Sequence, residues 1–296
     1  MAKDILSVGG FTIIRRIGNG ARSTIYLATD EEEGSVVALK RLTWERPEDQ
    51  RFFEQTEMEY KVARRIDHPY VRKCYRLQKV RSMFRVREML LSMEHFEGKT
   101  LEDTTTLSLG DVLLVFRMVG TGLNAMHQQG FVHCDMKPNN ILINKSGAIK
   151  IIDLGQSCPI GTIKNRIQGT PDYIAPEQVR RKTLGPKTDI FNLGATMYWA
   201  LTGKNVPTLI PKKKKGASDL VGPLPPPPKC IAPHELKKQL PVGVSKLVMD
   251  CVKEDPTERP SNMMEVVSRL DLLIHSIFGN KIRTNRNASN NHRAAQ

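Results

Sequence analysis

Asp135, Lys137 and Asn140 stand at offsets of zero, two and five in the run Phe131–Leu142, between two apolar segments. Phosphoryl transfer from a nucleotide needs such a set at one point. A carboxylate accepts a hydroxyl proton, a cation sits beside the moving phosphoryl group, and an oxygen holds Mg²⁺. Upstream, Ile17-Gly18-Asn19-Gly20-Ala21-Arg22-Ser23-Thr24-Ile25 lies between two strand-like runs, and its glycines let backbone N–H groups approach phosphate oxygens. Lys40 closes the run Val37-Ala38-Leu39-Lys40, where a returning strand sets its ammonium beside that loop. Downstream, Asp153-Leu154-Gly155 follows the apolar Ile149–Ile152, and Asp153 and Asn140 are hard oxygen ligands suited to Mg²⁺.

Elements of both periods must carry these groups. The runs Phe11–Ile14, Thr24–Ala28 and Val36–Lys40 are rich in β-branched residues and separated by glycine or acidic clusters, which predicts strands. Residues 48–66 change to helical spacing through Phe52, Phe53, Met58, Val62 and Ile66, and His68-Pro69 stops that helix. Two further strand-like runs end at Met93. Beyond Gly98 the chain reads mainly as helix, with apolar-periodic segments at Leu109–His127, Ile190–Leu201, Val244–Val252 and Met263–Phe278. Short strands at 141–143 and 149–152 interrupt them.

A chain of 296 residues predicts two lobes or domains. No run approaches ~18 consecutive apolar residues, so no membrane span is expected, and a cytoplasmic location is the default. Five scattered cysteines without a C-x-x-C pair argue against a zinc site or a disulfide framework. The formal net charge is +14, concentrated in Lys212–Lys215, in the Asn-rich tail, and in the set Arg72, Lys73, Arg76, Lys79, Arg81, Arg85 and Arg87. Solvated surface is the expectation for these, and a nucleic-acid partner is not, because no aromatic-interleaved motif accompanies them. Pro223–Pro228 reads as a rigid polyproline loop following the lysine block, and the insertion 211–228 is a candidate docking segment for a partner.

The string from His133 to Asn140 resembles the catalytic loop H-R-D-x-x-x-x-N of protein kinases, with Cys134 in place of Arg. The glycine loop is similar to G-x-G-x-x-G-x-V, with Ser23 for the third glycine. Val37–Lys40 is similar to V-A-I-K, and Asp153–Gly155 to D-F-G. Ala175-Pro176-Glu177 matches A-P-E. Arg259 and Asp189 stand where the family places the partner of that glutamate and the anchor of the catalytic loop. Seven elements occur in family order, so the chain is identified as a member of the eukaryotic-type protein kinases. Lys137 and Gly169–Tyr173 resemble the Ser/Thr class, and Leu201–Lys204 its bacterial members.

The resemblance implies an α+β, bilobal fold: a small β-rich N-lobe over about 11–95 with one main helix, and a larger helical C-lobe over about 96–278. Residues 1–10 would form a lead-in and 279–296 a basic, disordered tail. It implies ATP and Mg²⁺ as cofactors and Ser/Thr side chains of proteins as acceptors. Asp135 would deprotonate the hydroxyl and Lys137 steady the phosphoryl charge, while Asn140 and Asp153 hold the metal. Ile17 to Ile25, Ala38, Lys40 and Leu142 would surround the nucleotide, with Glu94 and Phe96 as hinge residues and Met93 as gatekeeper. Counting back ten residues from Pro69, as in the family, selects Glu59 as the partner of Lys40; Glu57 lies about 200° away around the helix. In the family the residue at Cys134 meets a loop phosphate, which a thiol cannot do. Phosphorylation of Ser157, Thr162 or Thr170 is therefore not expected to be required. Cys158 lies on the same loop, so a Cys134–Cys158 redox pair is the alternative to two inert thiols. A pseudokinase scaffold and a small-molecule phosphotransferase are the competing functions. Intact Lys40, Asp135, Asn140 and Asp153 oppose the first, and the A-P-E segment opposes the second.

Overall fold

The computed structural model describes residues 7–20, 22–82, 85–104, 107–210 and 229–293. Its first part is one antiparallel sheet of β1 (Ser7–Val8), β2 (Phe11–Asn19), β3 (Ser23–Asp30), β4 (Val36–Thr43), β5 (Cys74–Ser82) and β6 (Arg85–Glu94), in the order β1-β2-β3-β4-β6-β5. The three predicted strands are all present, each extended at its C-terminal end. Helix α1 (Gln50–Ala63) buries Phe53, Thr56, Glu59 and Val62 along one face. It begins after a 3₁₀ turn at Pro47–Asp49, slightly inside the predicted 48–66.

The second part is mainly helical: α2 (Leu109–Gln128), α3 (Pro176–Val179), α4 (Pro186–Thr202), α5 (Pro233–Leu236), α6 (Val242–Cys251) and α7 (Met263–Arg293). The Ser108 hydroxyl accepts the Asp111 amide while the Asp111 carboxylate reaches back to the Ser108 amide, a reciprocal cap that starts α2. Helix α2 is long and apolar enough to cross a membrane by length and composition, contrary to expectation; half of its most apolar window is buried in this fold. Its inward face, through Val112, Phe116, Val119 and Leu123, belongs to the core shared with α4 and α7, which accounts for so apolar a helix. Gly194 lets α4 approach α6, since a Cβ there would lie 2.5 Å from Cys251 Cβ. Gly203, at φ 72°, ends α4 in the left-handed conformation that glycine takes without strain.

Two small sheets complete the described fold. The strands β7 (Lys99–Thr100), β9 (Ile141–Ile143) and β10 (Ile149–Ile151) form one small sheet, and β8 (Phe131–Val132) pairs with β11 (Cys158–Pro159). A single parallel bridge, Val71 to Ile151, ties β10 to the segment that follows α1. The arrangement is the bilobal α+β fold that the resemblance implied. Two expectations need comment. Helix α7 runs to Arg293, past the predicted domain end at 278 and into the predicted disordered tail. Extending a helix already nucleated by its packed first turns costs far less than starting one. The Lys/Pro-rich insertion 211–228 lies outside the described residues.

Candidate active site

A cleft of about 1120 Å³ is lined by both parts of the molecule. It gathers Ile17, Gly18, Asn19, Gly20, Arg22, Ser23, Ile25, Ala38 and Lys40 from the sheet, and Glu94 and Phe96 from the connection. Asp135, Lys137, Asn140, Leu142 and Asp153 face it from below. Thr24 does not line it. Alternation along β3 sends Thr24 to the opposite surface from Ser23 and Ile25, beside Arg41. Ala21 falls outside the described residues. Arg22 faces the cleft but pairs with Asp49, its Nε 2.9 Å from the carboxylate, so it ties the loop to the start of α1. Met93 is fully buried and pairs with Ala38 across the sheet.

The Lys40 ammonium donates to Glu59 Oε2 at 2.7 Å. Burial favours the neutral amine, but the Glu59 and Asp153 carboxylates outweigh it and raise the lysine pKa above its ordinary value. Glu57 instead pairs with Lys79 on the sheet, as the helical angle between the two glutamates requires. A second cation was hidden in the sequence: Arg72 Nη2 lies 3.4 Å from Glu59 Oε1, and the residue is only 9% exposed. It had been read as part of a solvated basic surface because its neighbours in sequence are charged. Arg76, from the same set, pairs with buried Asp30 at 3.0 Å and lies over the Phe11 ring.

Asp153 occupies the left-handed region at φ 62°, an uncommon conformation for a residue with a side chain. Burial alone would raise its pKa; Lys40, His133, Lys137 and Arg72 outweigh that and hold it below the ordinary carboxylate value. Its carboxylate accepts no hydrogen bond from a described residue, so an ionised oxygen pair stands in the cleft. Asn140 is buried and spends its amide N–H on the Asp135 carbonyl at 2.8 Å.

At the mouth, three side chains close a triangle. Lys137 Nζ donates to Asp135 Oδ2 at 3.0 Å and to Thr170 Oγ1 at 2.8 Å, and Thr170 Oγ1 donates to Asp135 Oδ1 at 2.8 Å. The Asp135 amide donates to His133 Nδ1 at 3.2 Å. Beneath them Asp189, fully buried at the start of α4, accepts the amides of His133 and Cys134 and the His127 ring N–H, at 2.8–2.9 Å. Burial opposes its ionisation, but the His127 and backbone donors prevail and hold its pKa down. Gln178 completes the frame, donating to the Cys134 and Gln168 carbonyls and accepting from the Ala175 amide and Asn192 side chain. Glu177 and Arg259 form a two-pronged pair at 2.8 and 3.0 Å, both buried. The sequence reading therefore missed Arg72 and Gln178, and it named Thr170 without its place in the triangle. No local pattern announces the first two, whereas the spacing to Asp135 and Lys137 was no guide to Thr170, which lies 33 residues beyond Lys137.

A family model described as the protein kinase domain matches residues 11–270. A probable serine/threonine-protein kinase of Clostridium acetobutylicum is 27% identical over 271 residues, covering 88% of this chain and 39% of that protein. The serine/threonine-protein kinase PrkC of Bacillus subtilis is 31% identical over 204 residues, covering 66% and 31%. PknA of Mycobacterium tuberculosis, also a serine/threonine-protein kinase, is 32% identical over 205 residues, covering 66% and 47%. This chain thus spans less than half the length of each of these relatives. The family match covers most of the chain, and its motifs converge on one cleft: this chain belongs to the protein kinase family.

Proposed function

We propose that the chain is an ATP-dependent serine/threonine protein kinase, moving the γ-phosphoryl group to Ser or Thr hydroxyls of protein substrates. The observation that carries this reading is the Asp135–Lys137–Thr170 triangle at the cleft mouth. A hydroxyl entering there meets an ionisable oxygen that can take its proton and an ammonium that can face the transferred group. Lys40, held by Glu59, is the cation deeper in the cleft for the inner phosphates. Ile17, Ile25, Ala38 and Leu142 supply apolar walls for a purine, and Glu94 and Phe96 the backbone polar groups for its edge. The Glu94 carboxylate is engaged by Lys150 at 2.7 Å, and its amide donates to the Lys73 carbonyl at 2.9 Å. The names of the relatives and the Lys137 and Thr170 pair favour Ser/Thr over Tyr acceptors.

Asn140 and Asp153 fit a Mg²⁺ ion. Asp153 offers a half-buried, ionised carboxylate without a described hydrogen-bond donor, and Asn140 keeps its amide oxygen for a cation while its N–H holds Asp135. When bound, such an ion supplies positive charge to the phosphate oxygens. Incubation of the protein with labelled ATP, Mg²⁺ and a generic protein acceptor tests the reading. Phosphoserine or phosphothreonine in the hydrolysate is the expected product; label confined to phosphotyrosine, or none above the Asp135→Asn background, would refute it.

Backbone bonds hold the start of the segment that follows Cys158. Gly161 and Leu184 bond each other's strand through Gly161 N–H to Leu184 O and Leu184 N–H to Thr162 O, and Ile160 N–H reaches Gly130 O. Ser157 is buried, and the Thr170 hydroxyl is already committed to Asp135. Protein treated exhaustively with phosphatase is therefore expected to retain its initial rate. Loss of turnover, restored by rephosphorylation, would show that a loop phosphate is needed after all.

A further inference from the structure

Cys134 and Cys158 meet with their sulfurs 3.7 Å apart. Both are buried, in a small apolar pocket closed by Val132 and Leu184. The β8–β11 pair brings their segments together, with Cys158 facing Val132, two residues before Cys134. Cys134 is fixed from both sides: its amide donates to Asp189, its carbonyl accepts from Gln178, and its φ of 65° is left-handed. A side chain in this strained position points its sulfur at one partner only. The three remaining cysteines, Cys74, Cys230 and Cys251, are unpaired.

We infer that Cys134 and Cys158 form an oxidative modification site, at which a hydroperoxide converts the two thiols to a disulfide that fastens the activation segment to the catalytic loop. The two sulfurs are unlike. The contact with Cys134, with Lys164 nearby, holds the Cys158 thiol down to about 7 against the effect of burial. The same contact, with burial and the Asp189 charge, pushes the Cys134 thiol well up. Cys158, next to exposed backbone, is the attacking sulfur, and Cys134, anchored by Asp189 and Gln178, the resolving one. Cys158 opens the two-residue strand β11 and is followed by exposed Pro159, Ile160 and Gly161, so a short local opening admits a small oxidant.

In the first step the Cys158 thiolate attacks one peroxide oxygen, the O–O bond breaks, and a sulfenic acid and hydroxide result. The Cys134 sulfur then attacks the Cys158 sulfur, the S–O bond breaks, and the hydroxyl leaves with the Cys134 proton as water. Two thiols and one hydrogen peroxide give one disulfide and two waters, the sulfurs being oxidised and the peroxide reduced. Because the two segments are already paired by backbone bonds, the sulfurs start 3.7 Å apart and have little further to travel to bonding distance. The residue before Asp135 becomes covalently joined to the segment that carries Thr170.

The test uses the whole chain, purified under reductant, desalted and exposed to hydrogen peroxide, with peptide mapping after alkylation. Thiols titrated under denaturing conditions are expected to fall from five to three. A linked peptide carrying Cys134 and Cys158 is expected, two hydrogens lighter than the sum of its parts. Cys158→Ser retains its four thiols under the same exposure, and Cys134→Ala leaves a trappable sulfenic acid on Cys158. Limited proteolysis within 159–168 slows in the oxidised wild type and returns to the reduced rate with dithiothreitol. Full alkylation of both cysteines while others oxidise, or conversion of Cys158 to a sulfinic acid with Cys134 still free, would overturn the disulfide. Equal cleavage rates in a fully linked sample would overturn the fastening.

Discussion

Asp135→Asn lowers phosphoryl transfer to a protein acceptor by about 10²–10⁴-fold while the fold stays intact, the range that loss of a positioned general base produces. The side chain keeps its size, and an amide oxygen still accepts from Thr170 or Lys137. What disappears is the ability to hold a proton, because an amide nitrogen has no lone pair to offer. Lys40, Glu59 and Asp153 are untouched, so the KM for ATP should move little and the loss should appear in kcat. Initial rates at saturating ATP check this, with circular dichroism as the control for folding. Equal incorporation by variant and wild type would remove Asp135 from the chemistry and revive the scaffold reading.

Glu177→Ala destabilises the helical part by about 3–5 kcal/mol, because it strands a buried guanidinium. The Arg259 charge is fully enclosed, lies over the Phe191 ring, and also donates to the carbonyls of Lys253, Glu254 and Lys187. Arg259→Ala is expected to cost at least as much, since it leaves both a buried carboxylate and three carbonyls without a donor. The double variant should lose less than the sum of the two, because each single change includes the cost of an unpaired charge that the other removes. Denaturant unfolding of the four proteins measures this directly. Additive losses, or single losses near ~0.5 kcal/mol, would show the pair to be a surface-like contact.

The sequence was most informative where chemistry depends on neighbours along the chain. The offsets among Asp135, Lys137 and Asn140, and the strand that sets Lys40, survive folding because each lies on one short run. Glu59 was selected by its family spacing from Pro69, with Glu57 set aside by helical angle, and the ion pair agrees. The same locality misled at Thr24, where a contiguous motif was read as a contiguous surface although strand residues alternate. It misled again at Arg72, whose charge suggested solvent while its place beside the bridge to β10 carries it inward. The left-handed backbone at Cys134 and Asp153 had no local sign either. Glycine would have flagged it, but here hydrogen bonds from distant Asp189 and Gln178 hold the Cys134 conformation.

The bridge between Val71 and Ile151 has a mechanical consequence. Tyr70 O accepts the Ile151 amide and Ile151 O accepts the Arg72 amide, at 2.7 and 3.0 Å, while the Arg72 side chain grips Glu59. The helix bearing Glu59 is therefore moored at two piers, to the upper sheet through Lys40 and to the lower ribbon through Arg72. Residues 70–72 thus link β10 below to β5 of the upper sheet, which begins at Cys74. The N-terminal end of α1 is tied in turn to the glycine loop by Arg22 through Asp49, so sheet, loop and lower ribbon are all braced on this one helix.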